Sequence, residues 1–122
     1  MHLVDTSAWI HCLRPKGDAA VRERVAKHTE GGAVCWCSMV RLELWNGARG
    51  AQEKKVLRAM EDVIPELEID DAVWEGAIEL GRRARAKGVT APASDVLIAA
   101  CAKHHGVRLV HADQHLAALM KL

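Results

Sequence analysis

The 122-residue chain predicts an α/β fold, a three-layer α/β/α sandwich around a central parallel sheet, on three observations. Short apolar runs alternate with helical patterns, the order that builds strand–helix–strand crossovers. The strand runs, around Leu3-Val4, Ala33 to Cys37 and Leu109-Val110, lack a polar alternation, as strands covered on both faces require. Half of the residues are hydrophobic, enough for one core of ordinary size and a single domain over residues 1–122.

The elements follow in order. His2-Leu3-Val4 reads as a buried strand that ends at Asp5-Thr6-Ser7, three residues that can each cap a helix. That helix runs from Ala8 to about Leu13 and stops at Arg14-Pro15-Lys16-Gly17. A second, from about Asp18 to Glu30, opens on an acidic cap and closes at Gly31-Gly32. Ala33 to Cys37 is the next strand, and Ser38 caps a helix from Met39 to about Gly47. A further helix from Ala51 to about Val63 is ended by Pro65. Leu67-Glu68-Ile69 reads as a short strand before an Asp70-Asp71 cap. Ala72 to Lys87 is a long helix whose apolar face is expected at Val73, Trp74, Ala77, Ile78, Gly81 and Ala84. Ser94 or Asp95 starts a very apolar helix that ends near Gly106. Arg108 to His111 is the last strand, and Asp113 to Leu122 the closing helix.

Composition narrows the classes. Lys and Arg number 17 against 16 Asp and Glu, so any grip on nucleic acid must come from local patches. No signal-peptide pattern opens the chain, and no run approaches the ~18 apolar residues of a membrane span. A cytoplasmic protein without membrane contact is expected. With no secretory signal, the four cysteines (Cys12, Cys35, Cys37, Cys101) read as free thiols. On a strand, the sulfurs of Cys35-Trp36-Cys37 share a face, but the spacing is not that of common zinc sites.

In parallel sheets function gathers past the carboxyl ends of the strands, and acids recur there. Asp5 ends the first strand, Asp113 follows the last, Asp95 opens the most apolar helix, and Glu43 lies in the helix after the second strand. Asp5 and Asp95 could be helix caps and Asp113 a turn residue. Glu43 resists that reading, because its angular neighbours on a helix are Met39, Val40 and Gly47 and a carboxylate there is costly unless paired or coordinated. Four oxygen donors without His or Cys at ligand spacing suit a hard cation, Mg²⁺ or Mn²⁺. The chemistry that fits is phosphodiester hydrolysis.

Four stretches then resemble one family. Leu3-Val4-Asp5-Thr6-Ser7 looks like the opening of PIN domains of the VapC toxin type. Val40-Arg41-Leu42-Glu43-Leu44 with Gly47-Ala48-Arg49 resembles their second motif, and Ala93-Ser94-Asp95-Val96-Leu97-Ile98-Ala99-Ala100-Cys101-Ala102 their third. Leu109-Val110-His111-Ala112-Asp113-Gln114-His115-Leu116 resembles the fourth. The motifs stand in family order over residues 3 to 116. The resemblance implies a metal-dependent endoribonuclease, the toxin half of a toxin–antitoxin pair, with RNA as substrate, an antitoxin as partner and a homodimer as assembly. It also implies Asp5, Glu43, Asp95 and Asp113 as the catalytic, metal-binding acids, with Thr6 and Ser7 as supporting hydroxyls. The family often has Asp two places after the last acid. Here that place is His115, which leaves ligation there open, and the aromatic usual just beyond it is Leu116.

Weaker signals complete the reading. Arg82, Arg83 and Arg85 form the densest basic run, either a solvated helix end with a Glu79–Arg83 pair or a contact for an RNA backbone. Arg14, Lys16 and Arg49, in or beside loops, are further RNA candidates. His104 and His105 read as surface residues at a helix end, whereas His111 and His115 flank Asp113 and could touch substrate or metal. In a chain with no Phe or Tyr, Trp9 and Trp45 read as core or interface. A phosphatase of the haloacid-dehalogenase type needs a second Asp where Ser7 stands, and a receiver domain needs an acidic pair where Asp5 stands alone. The remaining alternative is a degenerate PIN domain serving as a non-catalytic protein- or RNA-binding module, against which all four acids speak.

Overall fold

In the computed structural model, which describes residues 1–122, His2–Val4 forms β1 between β2 (Val34–Cys37) and β4 (Arg108–Val110). A two-residue β3 (Glu66–Leu67) extends the sheet beyond β2, giving the order β3-β2-β1-β4 with every pairing parallel. Leu3 faces Cys35 on one side and Leu109 on the other in the strand register. Helices α1 (Thr6–Leu13) and α2 (Ala19–Glu30) join β1 to β2, and α3 (Ser38–Asn46) and α4 (Gly50–Val63) join β2 to β3. The return to β4 runs through α5 (Asp71–Ala86) and α6 (Ala93–His105), and α7 (Gln114–Met120) follows.

The pleat of β2 distributes its side chains between two layers. Trp36 meets Trp9 of α1 edge-on, with ring centroids 6.5 Å apart. His2 stacks on His28 of α2. Cys37, one residue on from Trp36, faces the opposite way, toward Cys101 on α6. The sheet is thus covered on both faces, and the expected sandwich is present. One core holds Leu3, Val4, Trp36, Leu57, Leu80, Ile98, Leu116 and Leu119, all essentially without solvent contact. All four cysteines are free thiols. No helix is long and apolar enough to cross a membrane.

Several boundaries differ from expectation for identifiable reasons. Asp5 itself caps α1, so the helix begins at Thr6 rather than Ala8. The third strand is Glu66–Leu67, because pairing starts where the Trp36 N–H reaches the Pro65 carbonyl and ends where β2 ends; Ile69 instead packs against the core. On α5, Trp74 and Ile78 are not inward: the buried seam is Val73, Ala77, Leu80 and Ala84. A single facing helix, α6, covers only that narrow stripe. The last strand stops at Val110, before His111, and α6 begins at Ala93, so neither Ser94 nor Asp95 is its cap. Gly106, at φ +66°, ends α6 in the left-handed conformation that glycine adopts without strain.

Candidate metal centre

The chain runs from β1 to β2 and β3 on one side, then returns to β4 on the other side of β1. This reversal opens a crevice at the carboxyl ends of β1 and β4. Asp5 follows β1 directly, and its N–H continues the ladder to the Val110 carbonyl at 2.9 Å. It is the one buried charged residue, 3% exposed. Its Oδ2 accepts from the Ser7 N–H at 2.9 Å and the Ser7 hydroxyl at 2.6 Å. Its Oδ1 is buried with no partner. A buried oxygen without a donor costs stability unless something else satisfies it.

Ser7 Oγ also accepts from the Ala112 N–H at 3.0 Å, which ties the start of α1 to the turn after β4. Beside it, the Thr6 hydroxyl donates to Glu43 Oε1 at 2.8 Å. Glu43 projects from α3 and is half-buried. Burial pushes its carboxyl above the usual range, with the charge of Asp5 adding to the effect and the Thr6 hydrogen bond opposing it. Asp95, in the first turn of α6, is also raised, to about 6. Burial is the largest cause, followed by the negative charges of Asp113, Asp5 and Glu43, while His115 acts in the opposite direction. The favourable position at a helix N-terminus does not offset three neighbouring acids.

Asp113 caps α7, its Oδ1 accepting from the N–H groups of His115 at 2.7 Å and Leu116 at 3.3 Å. His115 Nδ1 lies 3.3 Å from Asp113 Oδ1 and 3.9 Å from Asp95 Oδ2. One ligand atom from each of Asp95, Asp113 and His115 falls within 4.8 Å of the others. Asp5, Glu43, Asp95 and Asp113, expected from four separate segments, therefore converge, with Thr6 and Ser7 holding two of them. An orphaned carboxylate oxygen and a set of mutually repelling acids make a donor set that fits a divalent cation.

The other expected residues divide. His111 Nδ1 accepts from the Asp113 N–H at 3.3 Å and its carbonyl accepts from Arg24, so it shapes the turn. Arg14 is not free: it pairs with Glu53 and also donates to the Gly47 carbonyl at 3.3 Å. Lys16 and Arg49 are exposed. The Glu79–Arg83 pair is absent; Arg83 reaches the Leu122 carbonyl and Arg82 approaches Glu79 at 4.0 Å. Trp9 is core, and Trp45 packs against the core while donating to Glu61 beneath the Arg58 guanidinium. The bracing role of Arg24 had no sequence signal, because it spans 87 positions.

The fold agrees with comparison to known proteins. Ribonuclease VapC11 of Mycobacterium tuberculosis is 36% identical over 116 residues, 93% of this chain and 87% of that protein. Ribonuclease VapC21 of the same organism is 31% identical over 116 residues, 93% of this chain and 81% of that protein. The crystal structure of FitAcB from Neisseria gonorrhoeae has the same fold, with a TM-score of 0.74 at 22% identity over 98% of this chain and 94% of that one. Residues 2–122 match the PIN domain family, and this chain belongs to that family.

Proposed function

We propose that this chain is a divalent-metal-dependent endoribonuclease, the toxin of a toxin–antitoxin pair, acting in the cytoplasm as a single PIN-like domain. The observation that carries the reading is that Asp5, Glu43 and Asp113 lie close enough for their charges to act on Asp95, with a buried Asp5 oxygen that has no partner. The ribonuclease names of relatives at 36% and 31% identity support RNA as the substrate class.

Asp5, Glu43, Asp95 and Asp113 would hold Mg²⁺ or Mn²⁺. When bound, the cation supplies charge neutralisation for the phosphodiester and acidifies water at neutral pH. The protein's own groups prepare this site. Ser7 aims Asp5, Thr6 holds Glu43 by one oxygen, and the α7 N-terminus orients Asp113. Clustering the acids raises the free energy of the empty site, which favours cation entry over retention of the bare charges.

Arg82, Arg83 and Arg85 lie near the C-terminal end of α5, which packs antiparallel on α6 and leads into the turn carrying Asp95. With exposed Lys16 and Arg49, they are the groups suited to an RNA backbone; Arg14 serves the fold first. A homodimer is supported by the apolar α5 residues Trp74 and Ile78, which are 52% and 55% exposed. On this reading the protein partner is an antitoxin.

The test is cleavage of a mixed structured-RNA pool with Mg²⁺, with Mn²⁺ and with chelator, comparing wild type with Asp95→Asn. Metal-dependent cutting that the variant loses is the expected result. Well-folded, partner-free protein that cuts no RNA under any condition would overturn the reading in favour of a binding module.

A further inference from the structure

His115 is the only nitrogen donor among the four acids. Its side chain is 54% exposed, and the contacts of its Nδ1 are with the acids Asp113 and Asp95. Its backbone is fixed relative to the site, because its own N–H donates to Asp113 Oδ1 at 2.7 Å. The imidazole therefore folds back over the carboxylate that its main chain caps.

The distances suit shared coordination. Two atoms about 2.1 Å from one ion lie about 3 Å apart when adjacent in an octahedron and about 4.2 Å apart when opposite. His115 Nδ1 stands 3.3 Å from Asp113 Oδ1 and 3.9 Å from Asp95 Oδ2, inside that interval on both sides. Asp5, whose buried Oδ1 has no partner, lies close enough for its charge to act on Asp95.

We propose that His115 Nδ1 is a ligand of the metal centre, and that this nitrogen makes the site prefer Mn²⁺ to Mg²⁺. The assignment rests on the reading of the four acids as a metal centre. Mg²⁺ is a hard ion that favours carboxylate and water oxygens, whereas imidazole is a borderline donor that binds first-row transition ions better. Asp at the same position offers two oxygens and no such bias. A nitrogen in place of oxygen at residue 115 therefore changes the ion preference of the site.

Electron paramagnetic resonance of Mn²⁺ bound to the purified chain tests this directly. Titrations compare wild type, His115→Ala, His115→Asp and Asp95→Asn, with Mg²⁺ as competitor, and electron-spin-echo modulation reads ¹⁴N coupling. Wild type is expected to show ¹⁴N modulation that both His115 variants lose. His115→Ala should weaken Mn²⁺ about tenfold and Mg²⁺ by much less, and His115→Asp should regain Mg²⁺ affinity without the nitrogen signal. Mn²⁺ bound tightly by wild type with no ¹⁴N modulation, or with affinity unchanged in His115→Ala, overturns the His115 assignment and leaves the carboxylate centre standing. Wild type that binds no Mn²⁺ better than Asp95→Asn does overturns the metal centre itself.

Discussion

Replacing Asp95 with Asn should stabilise the metal-free protein at neutral pH while destroying its activity. The Asp95 carboxyl is raised from an ordinary 3.8 to about 6, by burial and then by the charges of Asp113, Asp5 and Glu43. The folded-state value lies above the unfolded one, so the native protein holds the extra proton between about pH 4 and pH 6. Stability is consequently full below that window and falls as pH rises through it. Two pK units correspond to about 3 kcal/mol at most. The side chain keeps 15% of its exposure, and screening at an open crevice reduces the figure to about 1 kcal/mol. For a chain of this size that is about 4 °C in melting temperature. In chelator at pH 7 the Asn variant should melt about 4 °C above wild type, and at pH 4 the difference should vanish. Adding Mn²⁺ should reverse the order, since only wild type gains the stabilisation of a tightly bound ion. A variant that melts at or below wild type in chelator at pH 7 would refute the idea that these acids repel one another in the empty site.

Ser7→Ala removes a hydroxyl that donates to Asp5 and accepts from Ala112; it should cost about 2 kcal/mol and slow RNA cleavage, and an unchanged thermal transition would sink that account. Ile78→Glu places a charge on the exposed α5 face and should leave circular dichroism intact while shifting a sedimenting dimer to monomer. A dimer indifferent to this change would place the interface elsewhere.

Local chemistry explains which parts were legible in advance. Strand runs without polar alternation, Gly106 after α6 and Pro65 after α4 act within a few residues of themselves, so the element order could be read from them. The α5 face departs from its periodicity because periodicity reports which residues are apolar and not how wide a stripe the neighbour covers; α6 covers Val73, Ala77, Leu80 and Ala84 and leaves Trp74 and Ile78 outside. Asp5 and Asp113 are both helix caps, and a cap does not exclude the site role proposed for them: a helix N-terminus holds a carboxylate in place by one oxygen and leaves the other available.

From its sequence alone, the chain determined the α/β class, the identity of four acids past or near the strand ends, and the two hydroxyls beside the first. These follow from residue type and order, which need no knowledge of distance. Only the tertiary structure decided that Thr6 reaches Glu43 across 37 positions, that Ser7 bridges to Ala112, and that Arg14 is engaged by Glu53. It also decided that His115 turns toward Asp95 and Asp113 rather than into solvent. Such contacts join segments remote in sequence, and their geometry is set by how the β1–β4 crevice closes, a property of the packed sheet and not of any one stretch of chain.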